Sequence, residues 1–277
     1  MTAIYSVLHM FVDGVCAFAM FGTFHGREQG YRYVLLYNFC AFALQMPFGA
    51  VLDLLNGKYR KEISFVTACT GVAITLLGAF IHPVVLGVGN ALFHIGGGVG
   101  TIYEDERKGW QGRGLGVFVA PGAFGLYLGM MLAKNSAGSG WLYGAGVFMA
   151  LICAGAAYRQ RTSIQTGAVA ADSAQARPED DLMNSRIQVD PVQDVKIGEI
   201  IPLAACSFLV VVLRSYIGMT VTFSWKTTVF AAVISTLAIV FGKAAGGFLA
   251  AKLGFLRTAV VSLSAAAIFY LFSGFMP

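Results

Sequence analysis

The chain has 277 residues, of which 57% are hydrophobic and only 12% charged, against about 25% charged in an ordinary soluble domain. Its mean hydropathy is +0.71, and its apolar runs approach the ~20 residues that cross a bilayer as a helix. A soluble globular class is thereby excluded. The net charge of +5 does not point to nucleic acid, because the basic residues sit in short loops between apolar runs rather than in a patch interleaved with aromatics.

Taken in chain order, about nine helix-length apolar segments are predicted: Ile4–Phe24, Tyr33–Leu55, Ile63–Ile81, Val84–Tyr103, Leu115–Ala133, Trp141–Tyr158, Ile200–Val221, Thr228–Ala251 and Thr258–Phe275. The first has no basic region before it and no small-residue cleavage site after it, so it is expected to be a retained span rather than a signal peptide. Connections are short except 159–199. That segment of Ala, Ser, Gln, Asp, Pro and Arg reads as a solvated linker between a six-helix bundle at 1–158 and a partial, three-helix bundle at 200–277. The five cysteines fall inside apolar runs without C-x-x-C spacing, as small buried hydrophobes do.

Loop charge gives the expected orientation. With the N-terminus cytoplasmic, Lys58, Arg60, Lys61, Arg107, Lys108, Arg113, Lys252 and Arg257 lie inside, while Arg27, Arg32, Lys134 and Lys226 lie outside. A multi-pass protein of the cell membrane follows, bacterial inner or plasma membrane by expectation. The second block repeats the first faintly. Gly49, Asp53, Gly57 and Arg60 are matched at constant spacing by Gly246, Ala250, Gly254 and Arg257, as in the parallel repeats of some transporters. A matching second block would need six spans, so the reading frame is expected to be incomplete at Pro277.

Ionisable residues inside spans are costly and mark function by default. His9 and Asp13 stand four apart on one helix face, and Asp13 lies ~15 Å or more along its span, near mid-membrane. Such a pair can hold and release a proton near neutral pH; a purely structural hydrogen-bonded pair is the alternative. His94 lies well inside the fourth span, followed by Gly96, Gly97, Gly98 and Gly100, where a ligand or another helix can approach. Arg214, beyond the middle of the seventh span, needs an anionic partner: a substrate carboxylate or phosphate, or Asp13 itself. Lys243 is expected to snorkel to the cytoplasmic surface, His82 to be an ordinary interface residue, and "EDERK" (Glu104–Lys108) to be a solvated inner loop. No Walker loop, dinucleotide fingerprint, zinc spacing or nucleophile elbow occurs, so no enzyme activity, cofactor or metal is expected.

The stretch Gly49-x-x-x-Asp53-Leu-Leu-Asn-Gly57-Lys58, closed by Arg60, resembles the loop between spans two and three of the major facilitator superfamily, with Leu54 where that family has a basic residue. "LHMFVDG" (Leu8–Gly14), "GVGNALFH" (Gly87–His94) and "LRSYIG" (Leu213–Gly218) are similar to the fosmidomycin-resistance type of efflux protein within it. "GVFVAPGAFG" (Gly116–Gly125) resembles the fifth-span pattern of proton-coupled drug antiporters. The resemblance implies an all-α major-facilitator-like bundle whose spans one, four and seven line a central cavity. Those spans carry His9, Asp13, His94 and Arg214, which become the expected substrate and proton sites. Gly49, Asp53, Gly57, Lys58 and Arg60 become an inner-face gate in which Asp53 latches one conformation. The implied function is proton-driven secondary transport of a small anionic or amphiphilic solute, efflux preferred, by a monomer in the lipid bilayer. A non-transporting scaffold or sensor, and a membrane-embedded enzyme, remain as alternatives.

Overall fold

The structure, a computed structural model, describes residues 1–24, 30–54, 60–135, 137–173 and 228–273, with positions 202, 205 and 209 besides; at 53–54, 60–61, 163–173 and 273 it describes the backbone only. Among these residues every regular element is helical. Eight helices are long and apolar enough to cross a membrane. The predicted seventh span, Ile200–Val221, lies outside the described residues apart from three isolated positions.

Helix α1 (Thr2–Phe18) continues into a π-turn at Ala19–Thr23, where the Phe24 N–H bonds the Ala19 carbonyl five residues back at 2.9 Å. The second span is a composite of α2 (Gly30–Asn38), a π-turn (Phe39–Ala43) and α3 (Gln45–Leu54). Helices α4 (Arg60–Ile81) and α5 (Pro83–Lys108) form a tight antiparallel hairpin. Only His82 separates them. Its backbone is extended, its Nδ1 accepts the Val84 N–H at 3.2 Å, and Pro83 occupies the first helical position, where no N–H is needed. His82 is therefore a helix cap rather than a plain interface residue.

Within that hairpin the glycines that face the opposite helix stand seven apart, at 71 and 78 on α4 and at 89 and 96 on α5. A Cβ added at Gly78 would lie 2.7 Å from the Val85 carbonyl carbon, and one at Gly89 would lie 2.7 Å from Thr75 Oγ1. Lipid is as apolar as leucine, so the helices associate through close van der Waals packing, which these small residues permit. A seven-residue period is also the period of left-handed supercoiling.

Helix α5 ends at Gly109 in the left-handed conformation (φ 63°), with the Trp110 N–H returning to the Asp105 carbonyl at 2.9 Å. After the turn, α6 (Arg113–Lys134) carries Pro121 in its interior and packs along most of α1. Helix α7 (Gly140–Ser173) leans on α1 and α4, with Trp141 against Phe18 at 5.3 Å between ring centroids. It runs on past Tyr158, where the linker is predicted to begin. Its Ala-rich continuation contains no proline before residue 173, so nothing in the chain stops the helix at the end of the apolar run.

Helix α8 (Val229–Leu253) packs on α6, where a Cβ at Gly247 would meet the Gly116 Cα at 2.8 Å. Gly254, at φ 86°, turns the chain into α9 (Phe255–Ser273). The buried core is drawn chiefly from α1, α4, α5, α6 and α7, among them Tyr5, Leu8, Val12, Phe93, Phe118 and Met149. Helices α8 and α9 expose large apolar side chains such as Phe230, Phe241, Leu256 and Phe269, the surface expected of residues that face lipid or a further apolar element.

Candidate functional site

The one-turn spacing of His9 and Asp13 on α1 brings them together as the sequence implies: His9 Nε2 lies 3.1 Å from Asp13 Oδ2. Both are inside the bundle, 2% and 6% exposed. From α5, His94 turns its Nε2 to the other carboxylate oxygen at 3.7 Å, and the two imidazoles meet edge to face at 4.5 Å. Helices α1 and α5 therefore meet at mid-span around a single carboxylate.

The other ring nitrogens are committed. His9 Nδ1 lies 2.8 Å from the Phe118 carbonyl oxygen, and His94 Nδ1 lies 2.9 Å from the Asn90 carbonyl oxygen. A carbonyl only accepts, so each Nδ1 carries the proton and donates it. In the neutral form of either ring the Nε2 is then a lone pair, and both Nε2 atoms face Asp13. The Asn90 amide donates to Asp13 Oδ1 at 3.3 Å and to Cys16 Sγ at 3.4 Å, which fixes the carboxylate plane from a third direction.

Helix α6 supplies the wall, and its proline is the reason. Pro121 has no N–H, so the Val117 carbonyl four residues back loses its helical donor. The Ser6 hydroxyl of α1, shared with the Thr2 carbonyl of its own helix at 2.9 Å, reaches the Val117 carbonyl at 3.1 Å, while the next carbonyl, Phe118, takes the His9 bond. Gly122 then passes directly over the pair: a Cβ there would stand 2.5 Å from Asp13 Oδ2 and 2.7 Å from His9 Cδ2. The wall is otherwise aromatic, with Phe118 and Phe93 rings 4.7 and 5.9 Å from that of His9. The side chain of His94 is the more open, 19% exposed against 3% and 9% for His9 and Asp13.

Lys243, on α8, is half-buried and its charge acts on both Asp13 and His94. The proline and glycine of "GVFVAPGAFG" and the asparagine four residues before His94 were visible in the sequence, but nothing in their spacing says which helix they face.

The expected gate is described in part. A Cβ on Gly49, within α3, would meet Ile95 Cδ1 at 3.7 Å, an ordinary contact rather than a close helix approach. Asp53 is the penultimate residue of α3 and Arg60 opens α4, and their side chains are not described. Gly57, Lys58 and Arg214 lie outside the described residues.

A different carboxylate performs a capping role at this level of the molecule. Asp105, expected in a solvated loop, is 4% exposed and accepts from the Gly114 N–H at 2.9 Å through Oδ1 and the Leu115 N–H at 3.1 Å through Oδ2. It sits where the α6 dipole is positive. Glu104 is equally buried and pairs with Arg107 at 2.9 Å and Lys108 at 3.7 Å. The mixed charge run is thus helical, with its two leading acids turned inward and its bases outward. Four cysteines, Cys16, Cys40, Cys69 and Cys153, are free thiols.

Fold and site together define an all-helical protein with eight membrane-length apolar helices among its described residues and a polar centre enclosed between them. Compared with known protein families, curated proteins and solved structures, the chain matches none.

Proposed function

We propose that the protein is a secondary active transporter of the cell membrane, of major-facilitator type, that moves a small solute by alternating access and is driven by protons. The observation that carries this reading is the His9–Asp13–His94 centre. It places ionisable groups at mid-span, where they are most costly and least explained by folding alone, and a lysine from the second block acts on it. Substrate and coupling sites of such transporters lie near the midplane between repeats.

In this reading Asp13 with His9 is the cation centre and His94, the most open member, is its contact with the cavity. Arg214 anchors an anionic group of the solute. Gly49, Asp53, Gly57, Lys58 and Arg60 form the inner-face gate, the N-terminus is cytoplasmic, the unit is a monomer, and efflux is preferred to uptake. Substrate-triggered proton movement in proteoliposomes tests it, with fosmidomycin-like phosphonates and other small anions as the panel. The expected result is a signal in the wild type that is lost in Asp13→Asn. A signal of full size in that variant removes Asp13 from the mechanism, and no signal across the panel from folded protein overturns the transport reading.

A further inference from the structure

We propose that His9, Asp13 and His94 form a three-ligand site for a divalent late-transition-metal cation of the zinc type, with its fourth coordination position open towards the His94 side. The inference rests on reading this centre as the transporter's cation site, and it names a second cation class for that site.

The argument begins with donors and acceptors. Both Nδ1 atoms donate to backbone carbonyls, at 2.8 and 2.9 Å, so each neutral ring offers only a lone pair at Nε2. Those lone pairs converge on a carboxylate that is itself a pure acceptor when ionised. Three acceptors facing one another inside a bundle repel unless a cation lies among them. Ligating histidines commonly donate their other ring N–H to a backbone carbonyl, which fixes tautomer and ring orientation. Here both rings are held that way, and the carboxylate is held by Asn90 at 3.3 Å.

The separations are close to those of a metal site. Zinc binds nitrogen and carboxylate oxygen at about 2.0–2.2 Å, which puts tetrahedral donors ~3.3–3.6 Å apart. His9 Nε2 stands 3.1 Å from Asp13 Oδ2 and His94 Nε2 3.7 Å from the other oxygen, Oδ1, and with one oxygen taken as ligand the three donor atoms lie within 4.8 Å of one another, so binding draws them together by up to about 1 Å. Two imidazoles and one carboxylate suit zinc, cobalt, nickel or iron(II). They do not suit calcium or magnesium, which take oxygen ligands, or copper(I), which prefers thiolate and thioether sulfur. A dication on one carboxylate leaves a net positive centre beside the Lys243 charge, so the open position favours an anionic fourth ligand. Protonated imidazoles would satisfy the same contacts, and the test has to separate the two.

The test is cobalt(II) titration of the whole chain, purified in detergent and freed of metal by chelation. Expected are visible d–d bands of a tetrahedral site that saturate at one equivalent and are displaced by zinc. X-ray absorption at that loading should show two imidazoles and no thiolate. Asp13→Asn and His94→Gln should each abolish saturable binding, and Asn90→Ala should weaken it about 10- to 100-fold, as loss of an outer-shell partner does. The proposal is overturned if wild-type protein shows no saturable binding, if the absorption spectrum reports sulfur ligands from the free cysteines, or if binding is unchanged in the folded Asp13→Asn variant. Should that variant fail to fold, the ligand set seen in the wild type still decides. Proton flux without metal binding sinks this inference and leaves the transport reading standing. Metal binding without any flux does the reverse.

Discussion

Gly122 is the position at which the site is most tightly specified, and a pair of glycine substitutions tests whether α6 closes over it as described. A Cβ at 122 would stand 2.5 Å from Asp13 Oδ2, whereas unbonded C···O contacts settle at about 3.3–3.6 Å. The helix must therefore withdraw by roughly 1 Å, or the carboxylate must turn out of its contacts with His9 and Asn90. Gly98 is the control: its nearest neighbour to an added Cβ is Phe118 Cε1 at 3.8 Å, an ordinary contact. Both replacements gain about 0.5–1 kcal/mol from the better helix propensity of alanine. Only Gly122→Ala adds an overpacking cost of about 1–3 kcal/mol. The difference between the two variants is thus that cost alone, a factor of ~5–150 in the folding equilibrium. Reversible denaturant unfolding in mixed micelles measures it, and substrate-driven flux should fall in Gly122→Ala and persist in Gly98→Ala. Equal stability of the two variants would refute the placement of α6 over the His9–Asp13 pair.

Three further outcomes are expected from the same unfolding assay. Ser6→Ala removes the hydroxyl shared between the Thr2 and Val117 carbonyls and should cost about 1–2 kcal/mol. In a Pro121→Ala background, which restores a helical N–H to the Val117 carbonyl, the cost should largely vanish, so a coupling near zero in the double-mutant cycle would refute the account. Asp105→Ala removes both hydrogen bonds at the start of α6 and should cost about 1–2 kcal/mol. Asp105→Asn, which keeps one acceptor oxygen, should recover part of that, and full stability of the alanine variant would rule out the cap. Thr75 is fully buried and its hydroxyl has no partner among the described residues, so Thr75→Val should be neutral or stabilising by up to about 1 kcal/mol, whereas a loss of that size would reveal a bound water.

Eight of the expected spans were legible because a bilayer imposes one requirement on every residue of a crossing segment, and composition alone reports it. His9 and Asp13 were legible as a pair because a helix puts residues four apart on one face. His94 could be suspected but not placed, since nothing in α5 alone says which neighbour it meets. What stayed hidden depended on a second element. Pro121 announces a kink, but only the Ser6 hydroxyl opposite shows where the freed carbonyl goes. Gly122 is one of many glycines, and its meaning lies in the carboxylate beneath it. Glu104 and Asp105 misled for an electrostatic reason: a run of mixed charge usually marks a solvated loop, and here the N-terminus of α6 turns one acid inward while Arg107 and Lys108 hold the other.

These contacts also form a continuous physical path from α8 to the centre. Helix α8 rides on α6 where Gly116 and Gly247 let their backbones touch, and α6 in turn presents the Phe118 carbonyl and Gly122 to His9 and Asp13. Lys243 adds an electrostatic link directly from α8 to Asp13 and His94. In the proposed transport cycle, motion of α8 against α1 and α5 would change two things at the centre: the wall that α6 holds over it and the charge that Lys243 projects into it. A cation bound at Asp13 then has different affinity in the two arrangements, and a ligand can shift a conformational equilibrium only through such a difference. Coupling between site and motion thus needs no relay beyond α1, α6 and α8. Replacing Lys243 by Met should loosen that coupling while leaving the His9–Asp13 pair intact, which tighter cation binding together with slower flux would reveal.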